Sequence, residues 1–184
     1  DANTTGDSNV AVGHDALTAN TTGQQNLAVG NEALRANTTA SYNTAVGRDS
    51  LYTNTTGSVN TAVGRNSLTL NTTGDNNTAV GGNALGANTT GASNTAVGHI
   101  ALDACTTGAG NTGIGRSAGS SLTTSANNTY IGYQSNSVGV SGDYNVGVGV
   151  NSLYNNAAAN NVAIGGDAMG ANTTGTNNVA IGRN

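Results

Sequence analysis

Side chains that could do chemistry are scarce in this chain of 184 residues, which has two histidines, one cysteine, nine acids and five arginines. His14 and His99 would have to meet to share a metal ion, and Asp15, Glu32, Asp49 and Asp167 would have to converge to work as paired carboxylates. All six fall in two adjacent places of one repeat. Each histidine directly follows a glycine, and each of these acids lies two residues after one, at Gly13, Gly30, Gly47 or Gly165. The same glycine returns at 64, 81, 98, 115, 132, 149 and 182. The spacing is seventeen residues throughout, apart from one step of sixteen between Gly149 and Gly165.

A fixed period this short implies stacked supersecondary units, each burying its face against the next. Before every one of these glycines stands Val or Ile, and four residues before it stands an asparagine: Asn9, Asn26, Asn43, Asn60, Asn77, Asn94, Asn111, Asn128, Asn145, Asn161 and Asn178. Within one unit, Asn43 to Val59, the run Thr44-Ala45-Val46 alternates as a strand does, so Thr44 and Val46 share one face and Ala45 takes the other. Gly47 with Arg48 and Asp49 reads as a turn, and a second short strand is expected around Ser50-Leu51-Tyr52. Asn54-Thr55-Thr56-Gly57 closes the coil as a second turn. Leucine or methionine recurs at 17, 34, 51, 68, 85, 102, 153 and 169. No segment carries the periodicity of a helix, and glycine is too frequent to allow one. The fold class expected is all-β, a parallel β-roll or β-solenoid of about eleven 17-residue coils. Residues 1–184 read as a single repetitive domain, with irregular coils over 113–160.

Coils stacked at the β spacing lie roughly 4.8 Å apart, so His14 and His99, five coils distant, are separated by about 24 Å and cannot share a metal. No catalytic residues, metal site or cofactor are expected. Arg48 and Arg65 lie one above the other on an edge expected to be solvated. Cys105 stands where neighbouring coils have Asn20, Asn37, Asn54, Asn71 and Asn88, and reads as a tolerated substitution there. The asparagine column, by contrast, is expected to form an amide ladder along the stack.

Each coil offers only about two large apolar side chains, a thin core against the cost of ordering seventeen residues. The position between the two residues expected to face inward is Ala or Gly in nearly every coil, and small residues on an outer face would admit a second sheet. Burial of that face between chains is therefore expected. Charged residues are 8% of the chain and the net charge is −4, which leaves no electrostatic footprint for nucleic acid. No apolar run is long enough for direct membrane insertion, and no leader resembles a signal peptide. The first eight residues read as the end of a preceding coil, and Arg183 and Asn184 as the start of another tail. An excerpt of a longer fibre is expected.

Three surfaces invite recognition. The Asn-Thr-Thr triplets at Asn3, Asn20, Asn37, Asn54, Asn71, Asn88 and Asn172 are formal N-glycosylation sequons. Their stacked threonines raise ice binding as an alternative, although consecutive residues point to opposite faces and leave one column rather than a flat pair. Tyr130, Tyr133, Tyr144 and Tyr154 fall within the irregular coils, and are candidate adhesive residues for a sugar ring or a protein partner.

The motif Asn-Thr-Ala-Val-Gly-x-x-Ala/Ser-Leu, with its later form Asn161-Val162-Ala163-Ile164-Gly165, resembles the head repeats of trimeric autotransporter adhesins and the repeats of phage-type tail fibres. The resemblance covers almost the whole chain. It implies a left-handed roll, assembly as a homotrimer, and an extracellular location on a cell surface, attached to an outer membrane, or on a virion. The expected role is extension and attachment to a surface, with a host-surface glycan or protein as the target. The repeat here is longer than adhesin heads commonly use. An ice-binding solenoid and a glycosylated extracellular filament subunit are the alternatives.

Overall fold

The computed structural model describes residues 3–140 and 142–183; Asn184, expected to begin a further tail, lies outside them. Each coil contributes one three-residue strand, from β1 (Val10–Val12) to β11 (Val179–Ile181), and no helix occurs among the described residues. All eleven strands pair in parallel, in chain order, in a single sheet. The register is the repeat itself: Thr44 opposes Thr61, Ala45 opposes Ala62 and Val46 opposes Val63. The chain is a β-solenoid.

Backbone pairing continues around the turns. Leu51 N–H donates to the Ser67 carbonyl at 3.1 Å, Thr53 to Thr69 at 3.1 Å and Thr55 to Thr72 at 3.0 Å. The expected second strand is absent, however. Leu51 has φ of 51°, and every leucine or methionine of its column lies between 50° and 56°. A left-handed residue turns the chain too sharply for a strand, at a cost of roughly 1–2 kcal/mol. Full burial of the leucine side chain offsets this with about 1.5–3 kcal/mol, and Leu34, Leu51, Leu68, Leu85 and Leu102 are completely buried.

The inside and outside of the strand are also reversed from expectation. Ala28, Ala45, Ala62, Ala79, Ala96 and Ala163 are the buried residues, packed in one core with the leucine column. The flanking Thr and Val or Ile point outward. The cause is width: the leucine turn sits so close to the strand that only small residues fit opposite it in the regular coils. At Gly113 an added Cβ would already stand 2.8 Å from Leu102 Cγ. The small-residue face is therefore the chain's own core, and cannot be a face between chains.

Coils approach each other closely at the repeated glycine. Gly64 has φ of 131°, and a Cβ there would lie 2.6 Å from the Gly81 carbonyl oxygen, so no other residue fits. The single sixteen-residue step is absorbed in the closing turn. Asn156 Nδ2 donates to the Ala158 carbonyl two residues on at 2.7 Å, whereas Asn54 reaches Gly57, three residues on, at 2.8 Å. Sheet register is kept, with Val146 opposite Val162.

Candidate binding surfaces

Two asparagine columns run inside the solenoid. In the expected one, each Oδ1 accepts the backbone N–H of the next asparagine, as from Asn60 to Asn43 at 2.9 Å, and each Nδ2 crosses to a turn carbonyl, as from Asn60 to Gly74 at 2.9 Å. Side-chain to side-chain bonds join some members, including Asn77 to Asn60 at 3.2 Å. The fuller amide ladder is in the sequon column. Asn37 donates to Asn20 at 2.9 Å, Asn54 to Asn37 at 3.2 Å, Asn71 to Asn54 at 2.8 Å and Asn88 to Asn71 at 2.8 Å. Each also donates to the carbonyl three residues on. Asn20, Asn37, Asn54, Asn71 and Asn88 are fully buried, with both amide hydrogens engaged, so a glycan at their Nδ2 would displace the ladder. Asn172 is half-buried and Asn3 is exposed.

The ladder stops at Cys105. Asn88 Oδ1 is buried without a partner, while the Cys105 thiol donates instead to the Gly108 carbonyl at 3.6 Å. Leu122 occupies the next place in the column and is buried. Cys105 thus stands between a polar and an apolar stretch, and burial pushes its thiol up to about 11. Half-burial likewise raises the Asp103 carboxyl.

The four candidate tyrosines are not brought together. Tyr130 is completely buried and belongs to the core, so it is no contact residue for a partner. It stands in the alanine column between Gly113 and Gly147, while the leucine position is Gly119 in the preceding coil and Asn136 in its own. A Cβ at Gly119 would lie 2.6 Å from Leu102 Cδ2 and 3.1 Å from the Tyr130 ring, and one at Gly147 would lie 3.1 Å from the ring. Tyr133 and Tyr144 are exposed, but flank the strand positions at opposite ends: Tyr133 follows β8 (Thr129–Ile131) and Tyr144 precedes β9 (Val146–Val148). Tyr154 lies in the column after leucine and is half-buried. The Arg116 guanidinium sits 5.7 Å from the Tyr133 ring centroid.

His14 and His99 share a column five coils apart, His14 lying 3.4 Å from Asp15. No group of three or more His, Cys, Asp or Glu side chains is placed to hold a metal among the described residues. Among the described residues there is no helix long and apolar enough to cross a membrane. In the paired threonines the first hydroxyl is consumed, as Thr55 Oγ1 donating to the Thr72 carbonyl at 3.1 Å. Only the second forms an exposed column, through Thr22, Thr39, Thr56, Thr73, Thr90 and Thr107.

Two surfaces escaped the reading of the sequence. One is the outward strand face, where a threonine column from Thr44 to Thr129 runs beside an unbroken Val/Ile column. Val80, Val97, Ile114, Ile131 and Ile164 remain 37–40% exposed. The other is an edge at the column Thr18, Arg35, Tyr52, Thr69, where Tyr52 separates two clefts of about 330 Å³ each. The first is lined by Thr18, Ala19, Arg35, Ala36 and Tyr52. The second is lined by Glu32, Arg48, Asp49, Tyr52, Asn66 and Thr69. The seventeen-residue spacing of Arg35 and Tyr52 was the available signal.

Comparison with protein-family models, curated proteins and solved structures returned no match.

Proposed function

We propose that this solenoid is a structural and adhesive segment of a surface-exposed homotrimeric fibre, in which three chains pack through the outward Thr and Val/Ile face. One observation carries the reading: an uninterrupted column of β-branched apolar residues lies on the outside of the sheet in every coil. A face about 50 Å long and about 10 Å wide is roughly 500 Å², which the flanking turns must extend to reach the roughly 800 Å² per partner that stable interfaces bury. Regular rows also suit register-locked packing, since each coil presents the same outline to its neighbour. The role proposed is extension and attachment, not catalysis, at an extracellular or virion surface.

Ice binding is a second reading, favoured by the same face. Thr44, Thr61, Thr78, Thr95, Thr112 and Thr129 form one regular rank beside the Val/Ile rank, a flatter array than the threonine pairs at the turns provide. The native mass in solution separates the two readings. Three chains per particle support the fibre. A single chain overturns it, and thermal hysteresis of that monomer then tests the ice-binding reading.

A further inference from the structure

Charge, an aromatic ring and a concave surface coincide beside Tyr52. The Arg35 guanidinium donates from Nη1 to the Tyr52 hydroxyl at 2.5 Å, and its central carbon lies 5.5 Å from the ring centroid. This holds the ring in place. Arg35 lines the first of the two clefts and Arg48 the second. Around Tyr52 in the second cleft stand Glu32, Arg48, Asp49, Asn66 and Thr69. Their donors and acceptors are set side by side, and Arg48 Nε lies 3.1 Å from Asp49 Oδ2. Glu32, which lines the same cleft, has its Oε2 3.9 Å from Arg35 Nη1.

Each of the two guanidiniums that line the clefts, Arg35 and Arg48, therefore already faces a carboxylate. An anionic ligand would find no unopposed cation, and a cationic one no unopposed acid. A neutral ligand with an apolar face and a rim of hydroxyls fits the mixture. Its C–H face would lie on the aromatic ring, while paired donors and acceptors take vicinal hydroxyls. The cleft volume is at the lower end of small-molecule sites. The contrast with Tyr133 is instructive, because an arginine lies against that ring as well, but without flanking carboxylates in the neighbouring positions, Ser117 and Gln134.

We propose that the cleft beside Tyr52 binds one hexopyranose residue of a neutral glycan, with the sugar stacked on Tyr52 and its hydroxyls held by Arg48, Asp49 and Asn66. This gives the attachment half of the proposed function a location and rests on that reading for its biological meaning, while the binding itself needs no trimer.

Saturation-transfer NMR on the whole chain is the test, with the methyl glycosides of glucose, galactose, mannose and N-acetylglucosamine. Each is used at about 10 mM, above the millimolar Kd expected of a single sugar contact. Transfer to the ring C–H protons of at least one glycoside is expected. Tyr52→Thr, which installs the residue found at 18 and 69 of the same column, and Asp49→Ala should each weaken it about tenfold. Tyr133→Ala should leave it unchanged. The absence of transfer to all four glycosides, or a signal that survives Tyr52→Thr, would overturn the site. Binding restricted to glucuronic acid, run alongside, would overturn its neutral character. The native mass of each variant, measured in parallel, shows whether a loss concerns the cleft or the assembly.

Discussion

Asn71 donates one amide hydrogen to Asn54 Oδ1 at 2.8 Å and the other to the Gly74 carbonyl at 3.0 Å, and it accepts from Asn88 at 2.8 Å. Inside a solenoid such an amide is satisfied by its own copies above and below. Asn71→Ala leaves Asn54 Oδ1 and one Asn88 hydrogen buried and unpaired, at about 1–3 kcal/mol for each. The exposed neighbour Thr73→Ala should change stability by no more than about 0.5 kcal/mol. Urea unfolding of the two variants checks the difference. Cys105 offers a test by pH. Its thiol ionises near 9 in ordinary surroundings and near 11 when folded, so the stability it contributes is complete below pH 9 and is lost as pH rises towards 11. By pH 10.5 the loss should reach about 2 kcal/mol. Cys105→Ser, lacking that titration, should close on the parent protein between pH 8 and pH 10.5 in parallel urea titrations. Tyrosine ionisation cancels in the comparison.

At the scale of the coil, a three-residue strand faces a left-handed leucine across a gap that admits only small residues in the regular coils. Tyr130 shows how that gap is retuned. Its ring fills the space given up by glycine at 119 and 147, an exchange of volume among neighbouring coils rather than an insertion into a fixed core. Tyr130→Ala should therefore open a cavity and cost about 3–5 kcal/mol in thermal or urea unfolding. Adding Gly119→Leu to that variant restores the pattern of regular coils and should recover part of the loss. On the native background Gly119→Leu should destabilise, because Leu102 and Tyr130 already occupy the space. Period, parallel register and the first asparagine column were legible in the sequence, since a strict repeat of seventeen specifies what lies above what. The inward face was not. Alternation in Thr-Ala-Val is symmetric between the two sides, and choosing the larger pair as core ignores the width that Leu51 leaves. Nor does leucine announce a left-handed conformation; only Gly119 and Asn136, which adopt it cheaply in the same column, hint at it. The cleft at Tyr52 was within reach, because Arg35 and Tyr52 are one period apart, but tyrosines were sought where the repeat loses its regularity.

As a whole, the molecule is a rod about 50 Å long whose polar ladders and alanine–leucine core are internal and whose β-branched columns face outward. A self-contained solenoid would gain nothing from eleven outward Val and Ile side chains unless something covers or orders itself on them. Assembly through this face is thus the feature on which the proposed function depends, and it predicts which surface can be altered without consequence. Arginines at Val63 and Val80 fall in the middle of the outward sheet, while arginines at Thr56 and Thr73 fall on the exposed turn column. Light scattering coupled to size exclusion measures the outcome for a chain of 17.9 kDa. The parent protein and Thr56→Arg/Thr73→Arg should elute as three chains, and Val63→Arg/Val80→Arg as one. A single-chain parent protein, or a trimer that persists with arginines at 63 and 80, would contradict the assembly.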